Sequence, residues 1–321
     1  MSAARKPRPV VVFSPDPLLS ITIEPLGEQA ELHVHAAGQG VWVARSAAES
    51  GASTVLCCLL GGEIGSLLRP LLEHAGGELR AVPTSAPNGS YVVDHRGSDR
   101  MLIASCPRPV PRRHELDNLL SATCTAALSG SVLVLCNPYP VDGVPDSGYE
   151  MLAANAAEAG VPVIVDLSTP RLDRTLAHRP ALVKINDWEL AEYVRGPVDG
   201  ARALSAAREL IAAGAQNVAV TRAEAPILVV PGDAEPFEIV PPPLTCGFRE
   251  GCGDTMTGAV AAAWARGARL RDALTLGAAA GSVNYLRRGL GTGGSATVQE
   301  MVAHIGVRPV GSLTPAADSA R

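Results

Sequence analysis

"SVLVLCNPYPVDGVPDSGYEMLAANAAEAGVPVIVDL" (residues 131–167) sets the reading of the whole chain. It opens and closes on short, continuously apolar runs, "SVLVLCN" (131–137) and "VPVIVDL" (161–167). Between them lies "SGYEMLAANAAEAG" (147–160), an alanine-rich helical stretch closed by Gly160. A strand that is apolar on both faces must be covered on both faces, and that is the pattern of a parallel sheet. The alternation continues downstream with a strand at "ALVKIN" (181–186), a helix at "DGARALSAARELIAAGA" (199–215) and a strand at "NVAVTRA" (217–223). The expectation is a doubly wound α/β domain with no internal repeat.

The first third differs. "ITIEP", "ELHVHA" and "SYVVDHRGSDRMLIA" alternate with period two and are separated by turn residues. The last reads as a hairpin turning at Arg96-Gly97-Ser98-Asp99. "GVWVARSAAESGASTVLCCLLGGEIGSLLRPLLEHAGG" returns to helix, strand and helix. Strands inserted into an α/β domain in this way point to a small β flap over one edge. From Gly306 to Arg321 the chain is rich in Pro, Ala and Ser and reads as a disordered tail.

Composition narrows the function. Apolar residues make up 47% of 321 but aromatics only 3%, so the core is built from Val, Leu, Ile and Ala. A net charge of −5 argues against nucleic acid or an anionic membrane as partner. No apolar run approaches the roughly 18 residues of a membrane span, and Val10 to Phe13 is too short for a signal peptide. Seven cysteines with no C-x-x-C spacing suggest buried thiols in a reducing, cytoplasmic setting.

Two short stretches can carry chemistry. In "CGFREGCGDTMTGAVAAAWARG" (246–267), Gly251, Cys252 and Gly253 lead through Asp254 into a helix expected over Thr255–Ala265. A helix start offers free N–H groups and a partial positive charge. An aspartate there can be a plain N-cap, but that leaves the flanking glycines unexplained. In "VKINDWEL" (183–190), Asn186 and Glu189 follow Lys184 at a spacing that fits either a capping box or a polar pair at the carboxyl end of a sheet. No Walker A motif occurs, and the G-x-G-x-x-G at Gly289, Gly291 and Gly294 follows a helix-like stretch, which disfavours a nicotinamide-dependent oxidoreductase.

Five segments, in order, resemble the ribokinase-like (PfkB) carbohydrate kinases, nearest to the fructose-phosphate kinase branch. "GCGDTMTG" is similar to that family's Gly-x-Gly-Asp signature. "VKINDWEL" is similar to its Lys-Pro-Asn-x-x-Glu-Leu motif, with Ile185 in place of proline. "AAGQGVWVARSAAESGA" resembles its glycine-rich segment, "DPLLSITIEP" its first strand, and "VTRAEAPILV" its nucleotide-binding turn. The resemblance runs over residues 10 to 305.

That resemblance implies one kinase domain over residues 1–305, with a β lid drawn from about residues 16–36 and 85–105, and a homodimer formed through the lid. It implies ATP and Mg2+ as cofactors and a sugar or sugar-like acceptor. Asp254 would be the base, and the amides of Gly251, Cys252 and Gly253 an anion hole. Asn186 and Glu189 would hold magnesium through water, with Lys184 near the phosphates. Thr221, Arg222 and Ala223, with Gly281 and Asn284, would line the nucleotide. Asp16, Ser20, Gly38, Gln39, Gly40 and Trp42 would face the acceptor. Here the pattern is broken: Ser20, Gln39 and Trp42 stand where the family usually has Asp, Lys and Asn. Fewer cations favour an unphosphorylated acceptor, and a nucleoside kinase or a catalytically impaired binding homologue remains as an alternative.

Overall fold

The structure is a computed structural model that describes residues 8–97, 100–138, 143–223, 225–288 and 290–311. The chain opens with β1 (Val10–Phe13), β2 (Leu18–Leu26) and β3 (Gln29–Ala37), followed by α1 (Gln39–Glu49). Next come β4 (Thr54–Leu60), α2 (Gly62–His74), β5 (Glu78–Pro83), β6 (Ser90–Asp94) and β7 (Met101–Cys106). The alternating half holds α3 (Arg113–Ser129), β8 (Val132–Cys136), α4 (Asp146–Glu158), β9 (Val163–Asp166) and α5 (Arg171–Leu176). It continues through β10 (Leu182–Asn186), α6 (Asp187–Tyr193), α7 (Gly200–Ala213) and β11 (Asn217–Arg222). The remainder is β12 (Ala225–Pro231), β13 (Phe237–Val240), α8 (Cys252–Ala265), α9 (Leu270–Tyr285), α10 (Ser295–Val302) and β14 (Gly306–Pro309).

Ten strands form one sheet in the order β14-β13-β12-β11-β10-β9-β8-β1-β4-β5. From β11 to β5 every neighbouring pair is parallel; β12, β13 and β14 extend the sheet antiparallel. The apolar runs explain the layering. Val11, Phe13, Leu133 and Leu135 point into one buried cluster, and Val10, Val12, Val132 and Val134 into another on the opposite face. Because successive side chains alternate across a sheet, each such strand feeds both clusters. The strand order reverses between β1 and β8, and this is the place where open α/β sheets bind ligands.

A second sheet, in the order β3-β2-β6-β7, stands apart. Its β2–β3 and β6–β7 pairs are antiparallel, while β2 and β6 run parallel. The chain reverses between β2 and β3 at Gly27, whose φ of 61° suits glycine. In the expected β6–β7 turn, Asp94 accepts from the Arg96 backbone and guanidinium, while Ser98 and Asp99 lie outside the described residues.

The tail reading needs correction. Gly306–Pro309 is a strand, paired with β13, and Arg308 Nε donates to Glu238 Oε2 at 2.8 Å. The open edge of β13 supplies backbone partners, and Pro309 is tolerated because its strand is an edge. The Pro- and Ala-rich composition that suggested disorder belongs mostly to residues 312–321, which lie outside the described residues.

Helices α1 and α8 cross at very close range. Ser46 Oγ donates to Thr255 O at 2.7 Å, and a Cβ on Gly258 would collide with Val43 O and the Ser46 side chain. Gly258→Ala therefore forces α1 and α8 apart and is expected to lower stability by about 1–3 kcal/mol, the range for overpacking. Gly200→Ala, whose Cβ would meet open space, is expected to stay within about 0.5 kcal/mol of wild type. Paired urea melts of the two variants check this contrast.

Candidate active site

The site forms where α8 begins. The helix starts at Cys252, three residues earlier than the sequence suggests, with Gly251 as N-cap in the left-handed region (φ 70°). Asp254 is thus not the N-cap; it lies in the first turn. The Cys252 N–H turns back to Arg249 O at 3.3 Å, so the expected anion hole is corrected at that amide. Among the described residues, the amides of Gly251 and Gly253 have no such acceptor.

Lys184 supports this turn from below. It comes from the end of β10, and its Nζ lies 3.0 and 3.2 Å from the two carboxylate oxygens of Asp166, at the end of β9. A Cβ on Gly253 would sit 2.8 Å from that Nζ, so a larger residue there would displace the ammonium from its place against Asp166. Thr257 Oγ1 donates to Asp166 Oδ2 at 3.0 Å and ties the same carboxylate to α8. Burial alone would lower the Lys184 pKa, but Asp166, Asp254 and Glu189 around it drive it above its ordinary value. Lys184, expected near the phosphates, has its ammonium buried beneath the loop and engaged by Asp166.

Asp254 is the counterpart. Burial pushes its carboxyl up to about 7; Lys184 opposes this, while Asp166 and Glu189 add to it, and a hydrogen bond from the Gln39 side chain lowers it again. Gln39 is itself held, its Oε1 accepting from Asn137 N at 2.7 Å just beyond β8. Asn137 Oδ1 in turn accepts from Ser168 N at 3.2 Å beyond β9. The loops at the strand-order reversal are thereby bonded to one another and to the base candidate. Gly38, with φ 116°, caps α1, and a Cβ on Gly40 would enter the Ser14 side chain, so this glycine turn lies directly on the end of β1.

Asn186 and Glu189 form the capping box. Glu189 N donates to Asn186 Oδ1 at 2.8 Å and Asn186 N to Glu189 Oε2 at 3.0 Å. Each retains one further side-chain atom, the Asn186 amide nitrogen and Glu189 Oε1. Burial raises the Glu189 pKa, with Lys184 opposing it. Among the described residues no group of three or more His, Cys, Asp or Glu could hold a metal directly.

The nucleotide-side expectations divide. Thr221 and Arg222 end β11, and Ala223 follows with φ 46° in the β11–β12 turn. The Arg222 guanidinium is committed to Glu238 (2.8 Å) and Pro226 O (2.7 Å), so only its backbone remains to face a ligand. Asn284 is corrected from ligand contact to scaffold. It is fully buried, accepts from Thr255 Oγ1 and Gly291 N, and donates to Glu250 O and Cys252 Sγ. Gly281 packs closely on Cys252 O, 3.1 Å from where a Cβ would sit. Burial raises the Cys252 thiol pKa, which suits a structural thiol rather than a nucleophile.

On the acceptor side, Ser20 and Trp42 line a pocket beneath the small sheet. Asp16 does not line it; Asp16 is buried in an ion pair with Arg108. Contrary to the expected loss of cations, Arg45, Arg100 and Arg288 border the pocket with His35. Asp166, Thr257, Asn137, Arg45 and Arg288 escaped the sequence reading. Asp166 alone carried a signal, as an acid closing an otherwise apolar strand.

This arrangement has known counterparts. The sequence profile of the "pfkB family carbohydrate kinase" family matches residues 16–297. The chain belongs to the PfkB family of carbohydrate kinases. It is 30% identical to a 1-phosphofructokinase of Rhodobacter capsulatus over 80% of this chain and 84% of the relative. It is likewise 30% identical to the ATP-dependent 6-phosphofructokinase isozyme 2 of Escherichia coli, over 78% and 82% of the two chains. The solved phosphofructokinase-2 of Escherichia coli in complex with potassium superposes with a TM-score of 0.80 at 25% identity, over 92% of this chain and 98% of that one. An Arabidopsis thaliana ribokinase complexed with ribose and ATP gives 0.71 at 20% identity, over 92% and 98%. The ribokinase-like fold and a phosphotransferase activity on a sugar hydroxyl follow from this membership. Among the described residues, no helix is long and apolar enough to cross a membrane.

Proposed function

We propose that the protein transfers the γ-phosphoryl group of ATP to a hydroxyl of a sugar or sugar-like small molecule, with Asp254 as general base. The observation that carries this reading is Asp254 in the first turn of α8, beside the amides of Gly251 and Gly253 and above the buried Lys184. Asp254 takes the proton as the acceptor oxygen bonds to phosphorus and the bond to the ADP oxygen breaks. The two open amides and the helix N-terminus face the negative charge of the transferring group. Magnesium would neutralise the phosphates when bound, and Asn186 and Glu189, with one unused atom each, would hold its water shell.

The proton affinity of Asp254 gives a direction. Below about pH 7 its carboxyl is protonated and cannot accept a proton. The kcat/KM for the acceptor is expected to fall about tenfold per pH unit below that point and to level off above it. Asp254→Asn should lower kcat by about 10² or more while ATP affinity stays within a few-fold. Steady-state kinetics across pH 5–9 check both, and turnover near wild type in the variant removes Asp254 from this role.

Glu189→Gln keeps an acceptor for the Asn186 N–H but removes a charge from the site. The magnesium concentration for half-maximal rate is expected to rise several-fold with little change in melting temperature. A lowered melting temperature with an unchanged magnesium titration would assign Glu189 to helix capping alone.

The small sheet also supports the homodimer reading. Leu32 and Val34 are exposed at 66% and 50%, and alternate with His33 and His35, so they form the face turned away from the pocket. An exposed apolar sheet face is a docking surface, and a second copy of this chain supplies the same face by symmetry. Sedimentation velocity is expected to show a dimer that Leu32→Glu/Val34→Glu converts to monomer; a monomeric wild type overturns it.

A further inference from the structure

Aromatic residues are scarce in this chain, at 3%, yet Trp42, Tyr91 and Phe248 line one pocket, brought there by α1, β6 and the loop before α8. Two of the rings carry arginines. Arg100 lies 5.7 Å from the Tyr91 centroid and Arg288 5.4 Å from that of Phe248. Both guanidinium groups are also balanced by carboxylates, Arg100 by Glu250 at 3.3 Å and Arg288 by Glu24. They therefore offer flat, delocalised planes more than bare charge. Trp42 carries no cation on its ring among the described residues, and it is half-buried, so one face of the indole is available to a ligand.

The polar side of the pocket is mostly charged groups and histidines, Glu24, Glu250, His35 and His95 beside the arginines, with Ser20 and Thr22 its small hydroxyls. Ser20 and Trp42 occupy the two positions where an acid and an amide would grip sugar hydroxyls in the pattern this chain resembles. Replacing both removes directed hydrogen bonds and adds stacking area. Trp42 follows Gln39, the residue bonded to Asp254, by three positions on α1. Trp42 thus stands about one helical turn, roughly 5 Å along the axis, from the residue that bonds the base candidate, which sets the pocket beside the Gln39–Asp254 contact.

We propose that the acceptor is a nucleoside, its pentose hydroxyl at Asp254 and its base stacked on Trp42 between the Arg100–Tyr91 and Arg288–Phe248 pairs. The placement of the hydroxyl rests on the kinase reading above; the stacking does not. Of the pocket arginines, Arg45 alone makes no ion pair among the described residues, and a guanidinium there can donate to a carbonyl of the base. A sugar phosphate would call instead on several unpaired cations, and two of the three arginines are already engaged.

The test is calorimetric binding at pH 8, with a non-hydrolysable ATP analogue and magnesium at saturation so that the donor site is filled. Cytidine, inosine, fructose 1-phosphate and fructose 6-phosphate are compared on wild type, Trp42→Leu and Trp42→Phe, with Phe248→Leu as a second variant outside α1. At least one nucleoside is expected to bind tenfold or more tighter than either fructose phosphate. Loss of the Trp42 ring should weaken it about tenfold or more, the scale of one base–aromatic stack, with Trp42→Phe retaining most of the affinity and the analogue bound as before. A fructose phosphate that binds more tightly than both nucleosides, or nucleoside affinity unchanged within twofold in Trp42→Leu and Phe248→Leu, overturns the proposal. Phosphorylation of a fructose phosphate alone would leave Asp254 as base and remove the nucleoside. Tight, Trp42-dependent nucleoside binding without phosphoryl transfer would do the reverse.

Discussion

One buried ion pair organises the catalytic end of the molecule. Lys184 and Asp166 meet at the carboxyl ends of adjacent strands, both almost fully out of water. A pair so placed is tolerated only when its remaining hydrogen-bonding capacity is met. Thr257 satisfies Asp166 from α8, and the ammonium lies against Gly253. Both contacts come from the first turns of one helix, so sheet and helix cannot shift independently. The helix start, with Gly251 as left-handed N-cap, is thereby laid over the buried cation, and Gly253 is the residue that meets it.

The electrostatics of the acid follow from the same geometry. Three carboxylates, Asp166, Glu189 and Asp254, surround a single ammonium in a low-dielectric setting. Asp166 holds the shortest ion pair to Lys184, so the unmet charge falls on the other two, and both are raised. An acid tuned toward neutrality by burial and like charge is what proton abstraction near pH 7 requires. Gln39 moderates this by donating to Asp254 while Asn137 anchors its other end.

The parts of the site legible in the sequence were those in which local backbone chemistry and function coincide. Glycines beside an acid before an alanine run, and an Asn-x-x-Glu after an apolar strand, are short-range patterns that constrain geometry by themselves. The alternating strands and helices were legible for the same reason, since burial on both faces leaves an unbroken apolar run. Asp166, Thr257 and Asn137 were not legible, because their roles depend on strands meeting side by side. Asn284 differs for a related reason: the resemblance implied a ligand contact, yet here its amide bonds two atoms of α8 and two of the flanking loops. The β12–β14 extension was not legible because β13 and β14 are only four residues each and prolines punctuate β12 and β14.

The pocket beside the small sheet differs from the one expected for the acceptor, and the difference is one of dimension. A motif comparison along the chain registers that Lys, Asp and Asn are gone from their usual positions, and so counts lost charge. It cannot register that Arg45 lies one turn further along α1, that Arg100 precedes β7, and that Arg288 follows α9. Those three enter the same pocket from three elements, and two arrive with a carboxylate partner and an aromatic ring. Charge has therefore been moved, not removed, and paired so that its planar shape matters more than its sign. A helix start built on backbone geometry beside a pocket built on side chains from several separate elements lets the pocket vary while the helix start is kept.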